Sequence, residues 1–175
     1  MARSNRMLRE SGIFLLKDRV DCLLELAQWL HAEWYAEQNC DLSDAVHTMV
    51  QRINDQTLPV AFVAIEGGAA VGMVSVAREE TLVGSQSPCL VGLYVVPTAR
   101  GRGLGTQLCR RAIQFASQLN FDSLYLYTPD RETFYGRLGW QRLGAKFVDW
   151  EPRECIFMGL KLDAFRSKRT MLTSG

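Results

Sequence analysis

The chain has 175 residues, 20 Lys and Arg against 19 Asp and Glu, a formal charge of +1 and 47% apolar residues. That length and composition suit one folded domain hiding about 70% of the surface its unfolded chain would expose, and they exclude a disordered or fibrous chain. The balanced charge removes the general electrostatic argument for nucleic-acid binding, and no apolar run approaches the roughly 18 residues a membrane-spanning helix needs.

The N-terminal arm, residues 1–10 with Arg3, Arg6 and Arg9, has no apolar run behind it and is expected to be a flexible end, as is 166–175. Ile13 to Leu16 has the length and apolarity of a first strand. From Asp18 the period changes, and Val20, Leu23, Leu24, Ala27, Leu30 and Trp34 form the stripe of an amphipathic helix. Asp41 and Ser43 offer N-caps for a second helix with Val46, Met49, Val50 and Ile53 on its inner face. Val60 to Ile65 and Val71 to Val76, joined through Glu66-Gly67-Gly68, read as a hairpin. A polar loop, Arg78 to Pro88, precedes a strand from Cys89 to Val96 that Pro97 stops.

Beyond it Leu104, Leu108, Ala112, Phe115 and Leu119 line one face of a long helix, with Arg110, Arg111 and Gln114 on the other. Leu124 to Tyr127 is a strand, Arg131 to Arg137 a short helix closed by Gly139 with Asp130 as its N-cap, and two strands follow, the second from Cys155 to Leu162. The order β-α-α-β-β-β-α-β-α-β-β calls for an α/β or α+β sheet with helices on its faces, all within a single domain spanning 1–175. The cysteines, Cys22, Cys40, Cys89, Cys109 and Cys155, lie far apart with no CxxC pair. Free thiols in a reducing, cytoplasmic setting are expected, with no metal site and no disulfide framework.

The most informative stretch is Leu93-Tyr94-Val95-Val96-Pro97-Thr98-Ala99-Arg100-Gly101-Arg102-Gly103-Leu104-Gly105-Thr106. A strand stops at proline, glycines follow at alternate positions, and a helix begins, so backbone N–H groups can approach a phosphate at a positive helix end. Arg100 and Arg102, with Arg110 and Arg111 further along, add charge suited to a pyrophosphate. A Walker loop would place Lys after its last glycine, where Thr106 stands, and a dinucleotide fingerprint would have wider glycine spacing at the first β-α-β unit. Tight strand-to-helix packing is the other explanation for such glycines.

Arg100-x-x-Gly103-x-Gly105, followed downstream by Phe134-Tyr135-Gly136-Arg137-Leu138-Gly139-Trp140, resembles the paired signatures of the GNAT N-acetyltransferase superfamily. The resemblance covers Val60 to Leu162 well and the first two helices more loosely. It implies a mixed, mostly antiparallel central sheet with a splayed pair of strands at the cofactor site and helices on both faces. It also implies acetyl-CoA as cofactor, CoA as product, no metal, and direct attack of a primary amine on the thioester. By that resemblance the backbone of Leu93, Tyr94 and Val95 holds the pantetheine arm, and Arg100, Gly101, Arg102, Gly103, Leu104, Gly105 and Thr106 hold the pyrophosphate. Tyr135, next to Phe134, corresponds to the tyrosine beside the coenzyme sulfur, where a phenol of ordinary pKa near 10 can protonate the leaving thiolate. Thr128 stands where many members have an asparagine, which alters what that position offers the cofactor arm.

Removing the acceptor amine's proton needs a base, and the family fixes none. Candidates are His31 and Glu33 on the first helix and Glu79 and Glu80 after the second hairpin strand; His31 shares its face with Trp34. Trp150, among Asp149, Glu151 and Glu154, would suit the rim of a cleft for a cationic amine. A capped or solvated His31 and a core role for Trp29, Trp34 and Trp140 are the alternatives. The acceptor is a small-molecule amine or a peptide N-terminus, with no nucleic-acid or membrane partner, and a homodimer is left open. A CoA-binding regulatory module without turnover is the competing reading.

Overall fold

The structure, a computed structural model, describes residues 10–78, 88–148 and 151–166. Glu79, Glu80, Asp149 and Trp150 lie outside the described residues, as do 1–9 and 167–175. Seven strands run β1 (Gly12–Leu15), β2 (Val60–Glu66), β3 (Ala69–Arg78), β4 (Pro88–Val95), β5 (Ser123–Thr128), β6 (Gln141–Val148) and β7 (Glu151–Lys161). Their hydrogen-bonded order is β1-β2-β3-β4-β5-β7-β6. β1 with β2, β2 with β3, β5 with β7 and β6 with β7 pair antiparallel, while β4 and β5 run parallel with Cys89 opposite Tyr125. This is the mixed, mostly antiparallel sheet expected. The helices are α1 (Leu23–Leu30), α2 (Leu42–Gln51), α3 (Leu104–Gln118), α4 (Glu132–Gly136) and α5 (Asp163–Arg166). Among the described residues no helix is long and apolar enough to cross a membrane. Backbone contacts divide the chain into two compact units.

The first unit comprises Met1–Val76 and Val91–Ala112. In β2 residues Val60 to Ile65 are all buried, which is why they read as a continuous apolar run: the strand is covered on both sides. Ala61, Val63, Ile65 and Met73 cluster with Leu26, Ala27 and Leu30 of α1 and Ala45 and Met49 of α2. Phe62 points the other way, under the Arg111 guanidinium of α3 at 4.9 Å from the ring centre. Gly72, opposite Ala64, lies on that same face against Leu108 of α3.

The amphipathic stretch expected as one helix from Asp18 through Trp34 is broken. Short 3₁₀ turns at Leu16–Asp18 and Val20–Cys22 precede α1, and a π-helical turn, His31–Tyr35, follows it. Val20 and Leu24, assigned to the inner stripe by spacing, are 49% and 54% exposed, because the buried line runs through Cys22, Leu26, Ala27 and Leu30. In α2 Ala45 and Met49 are buried and Val46 packs against their cluster, as does Ile53 just past the helix, whereas Val50 is half exposed. Asp41 does cap α2: its carboxylate accepts the N–H groups of Ser43 and Asp44 at 2.7 and 3.1 Å, while the Asp44 carboxylate accepts the Asp41 N–H at 2.8 Å. The Ser43 hydroxyl, then these N–H bonds, hold the Asp41 carboxyl below its usual range.

The second unit comprises Ala77–Leu90 and Ile113–Gly175. Leu124, Leu126, Met158 and Leu160 are buried between paired β5 and β7, and the rings of Tyr125 and Tyr127 stack on Phe157 at 5.5 and 4.8 Å. β7 begins at Glu151, four residues before the expected Cys155, since the charged run Glu151-Pro152-Arg153-Glu154 is a solvent-facing strand end that returns from β6 with Val148 opposite Glu151. Charge there marks exposure rather than a loop.

Candidate functional site

In the first unit β4 carries Gly92 at φ +61° within the strand and ends at Val95, and the N–H of the next residue, Val96, donates to the Val71 carbonyl at 3.0 Å. Pro97–Ala99 makes one 3₁₀ turn, and Arg100 leaves it extended. Gly101 and Gly103 then sit at φ +77° and +80°, a region costly for residues with a Cβ. A Cβ built on either would meet nothing within 4 Å. These glycines therefore serve backbone conformation and an open approach, which answers the alternative of tight strand-to-helix packing. Gln107 N–H donates to the Gly103 carbonyl at 3.1 Å, making Gly103 the residue before the first helical turn. A glycine there has no side-chain oxygen to accept the N–H groups of Leu104, Gly105 and Thr106, and no acid stands between Arg100 and Arg111. The positive end of a 15-residue helix that opens on a residue unable to offer a side-chain cap fits an anion of the pyrophosphate class.

The two loop arginines are held differently. The Arg100 Nε–H donates to the Val95 carbonyl at 2.8 Å, and its guanidinium lies 5.7 Å from the centre of the Tyr94 ring. Arg102 pairs with Glu66 at the end of β2, 2.8 Å apart and largely exposed. Arg111, proposed from sequence to add charge here, is spread over Phe62, and Arg110 is exposed on the outer face of α3.

In the second unit Tyr135 lies in α4, 7% exposed, with the rings of Phe134 and Trp140 edge-on at 5.0 and 6.0 Å. Its carbonyl accepts the N–H groups of Leu138 and Trp140 at 2.9 and 3.2 Å, and Gly139 at φ +92° turns the chain into β6. Thr128 is buried at the end of β5, and its Oγ1 accepts the Arg131 N–H at 3.0 Å, so the hydroxyl organises the turn into α4. Asp130, expected as that helix's N-cap, instead pairs with Arg131 and Arg153 at 3.3 and 3.7 Å; Arg131 stands at the N-cap, and no side chain caps the helix.

Of the acceptor-side residues, His31 is half-buried and its Nε2–H donates to the Cys40 carbonyl at 3.2 Å, the capped alternative. Trp34 is packed against the apolar cluster of α1 and α2, and Glu33 is exposed. The π turn moves His31 and Trp34 off the regular helical spacing on which their pairing rested. Sequence reasoning missed the ring contact of Trp29 with Tyr94, centres 5.3 Å apart. The two residues are remote in the chain, and only the i, i+2 alternation placing Tyr94 opposite Leu93 and Val95 hinted that its ring turns away from theirs.

The fold recurs among solved structures at low identity. An N-acetyltransferase from Staphylococcus aureus Mu50 aligns with a TM-score of 0.69 at 15% identity, over 87% of this chain and 99% of its own. The spermidine/spermine N-acetyltransferase SpeG from Vibrio cholerae aligns at 0.65 and 14% identity, over 91% and 99%. An aminoglycoside 6'-N-acetyltransferase complexed with coenzyme A aligns at 0.64 and 18% identity, over 86% and 97%. No curated protein sequence matches the chain. The family model described as Acetyltransferase (GNAT) family matches residues 23–140, most of the chain, and by that match this protein belongs to the GNAT acetyltransferases.

Proposed function

We propose that this protein transfers an acetyl group from acetyl-coenzyme A to a primary amine, a small molecule or a peptide N-terminus. The carrying observation is the cradle: Gly101 and Gly103 at positive φ, open space where their side chains would be, and a helix opening on a glycine with no acid in its first turn. Bound acetyl-coenzyme A supplies an acyl group activated as a thioester. The N–H groups of Leu104, Gly105 and Thr106 bind the pyrophosphate with Arg100, and the backbone of Leu93 to Val95 aligns the pantetheine arm. A β4 N–H near Val95 would stabilise negative charge on the acyl oxygen, and the Tyr135 hydroxyl would give its proton to the departing sulfur, to be restored by the proton that the attacking amine loses. Thr128, its hydroxyl oxygen committed to the Arg131 N–H, retains its own O–H to donate.

Calorimetric titration with coenzyme A tests the cradle. Gly103→Val puts a branched side chain into the open space beside the helix start, and we expect affinity at least about tenfold weaker than wild type, the worth of roughly one lost charge-assisted hydrogen bond. A folded variant that binds as tightly as wild type overturns the assignment.

A further inference from the structure

We propose that the Tyr94 ring, backed by Trp29, is the platform that aims Arg100 at the pyrophosphate, an inference that rests on the reading above and adds a positioning residue to it. Alternation along β4 sends the Tyr94 side chain to the α1 and α2 face, where it packs against the apolar cluster. There its ring meets Trp29 of α1 at 5.3 Å, tilted 41°, and the Arg100 guanidinium at 5.7 Å from its centre. The Arg100 Nε–H is already given to the Val95 carbonyl at 2.8 Å. One bond along the chain and one ring face thus fix an exposed, flexible side chain, and the two Nη groups are the part of the fork left to point outward. An arginine fixed before the ligand arrives loses less side-chain freedom on binding. Tyr94 therefore has two separate jobs: its backbone belongs to the strand that would hold the pantetheine arm, and its ring serves the loop.

The alternative, a ring that only fills the core under α1, is separable because pantetheine lacks the pyrophosphate. Kinetics of the full-length protein with acetyl-coenzyme A and with S-acetylpantetheine, each at a saturating amine, give the discriminating ratio. Tyr94→Leu is expected to lower kcat/KM for acetyl-coenzyme A about fivefold more than kcat/KM for S-acetylpantetheine, through KM, the size of an exposed cation–π contact. Tyr94→Phe, which keeps the ring face, restores the wild-type ratio, and Trp29→Leu gives a smaller loss with the same selectivity. Equal losses with both donors, or no loss with either, overturn the platform while wild-type turnover leaves the acetyltransferase reading standing. A wild-type protein that neither binds coenzyme A nor transfers acetyl overturns both.

Discussion

Tyr135 is built into its position from three sides. Phe134 and Trp140 hold its ring edge-on, the turn Leu138–Trp140 is bonded to its carbonyl, and the Thr128 hydroxyl bonds the Arg131 N–H in the turn that leads into its helix. Removing only the hydroxyl leaves that packing in place, so Tyr135→Phe is expected to lower kcat by about 10²-fold or more, the usual worth of general acid catalysis, with KM for acetyl-coenzyme A within about twofold of wild type. Steady-state kinetics with the donor varied decides it, and an unchanged kcat removes Tyr135 from the mechanism. At this scale the motif residues were legible because glycine, arginine and tyrosine at fixed offsets carry chemistry in their identity. The Thr128 and Asp130 roles were not, since either side chain can accept an N–H and only the course of the turn decides which one does. The Arg100–Tyr94–Trp29 contact was not legible either: it joins a helix, a strand and a loop that periodicity treats separately.

Among the elements, β3 and β4 of the first unit touch where the candidate strand must be placed accurately. A Cβ on Gly72 would sit 2.8 Å from the Tyr94 carbonyl and 3.1 Å from Leu108. Backbone cannot step aside as a side chain can, so Gly72→Ala is expected to destabilise by about 1–3 kcal/mol and to weaken coenzyme binding with it. Gly159 in β7 is the control. Its added Cβ would meet Leu143 Cδ1 at 2.7 Å, but Leu143 is 53% exposed and free to rotate, so Gly159→Ala should cost under about 1 kcal/mol. Urea unfolding of the two variants gives the comparison, and equal costs would contradict the close-approach argument. The strands and α3 followed from apolar runs and spacing, whereas the region after Asp18 did not. Its apolar residues satisfy a helical stripe on paper, yet tertiary packing selects Cys22 and Leu26 over Val20 and Leu24 and accommodates a π turn that no spacing rule encodes.

For the molecule as a whole, the free thiols link stability to pH. Burial pushes the Cys109 thiol up to about 12, and burial with the neighbouring Asp21 charge pushes Cys22 up to about 11; Cys155 is raised too, chiefly by burial. Unfolded thiols ionise near 8.5, so above that pH the unfolded chain releases protons that the folded chain keeps. The stabilisation is therefore complete below about pH 8 and is lost as pH rises toward the folded values, at up to about 1.4 kcal/mol per pH unit for each thiol. Urea midpoints measured from pH 7.5 to 10 should fall, and less steeply in Cys109→Ala; an identical slope in that variant would contradict the assignment.

Length, composition and the paired motifs were enough to read the sheet and the family, because a sequence carries its own periodicity and its own chemistry. The acceptor was not legible, as its recognition depends on residues drawn together from separate elements. Mass-spectrometric detection of acetylated product, after incubation of the protein and acetyl-coenzyme A with a pooled library of primary amines and peptide N-termini, separates acetyl transfer from coenzyme binding alone. Acetylation of one acceptor class is expected, lost when Tyr135→Phe replaces the wild-type protein in the same pool. Coenzyme binding with no acetylated amine would contradict acetyl transfer and favour a module that senses the coenzyme without turnover.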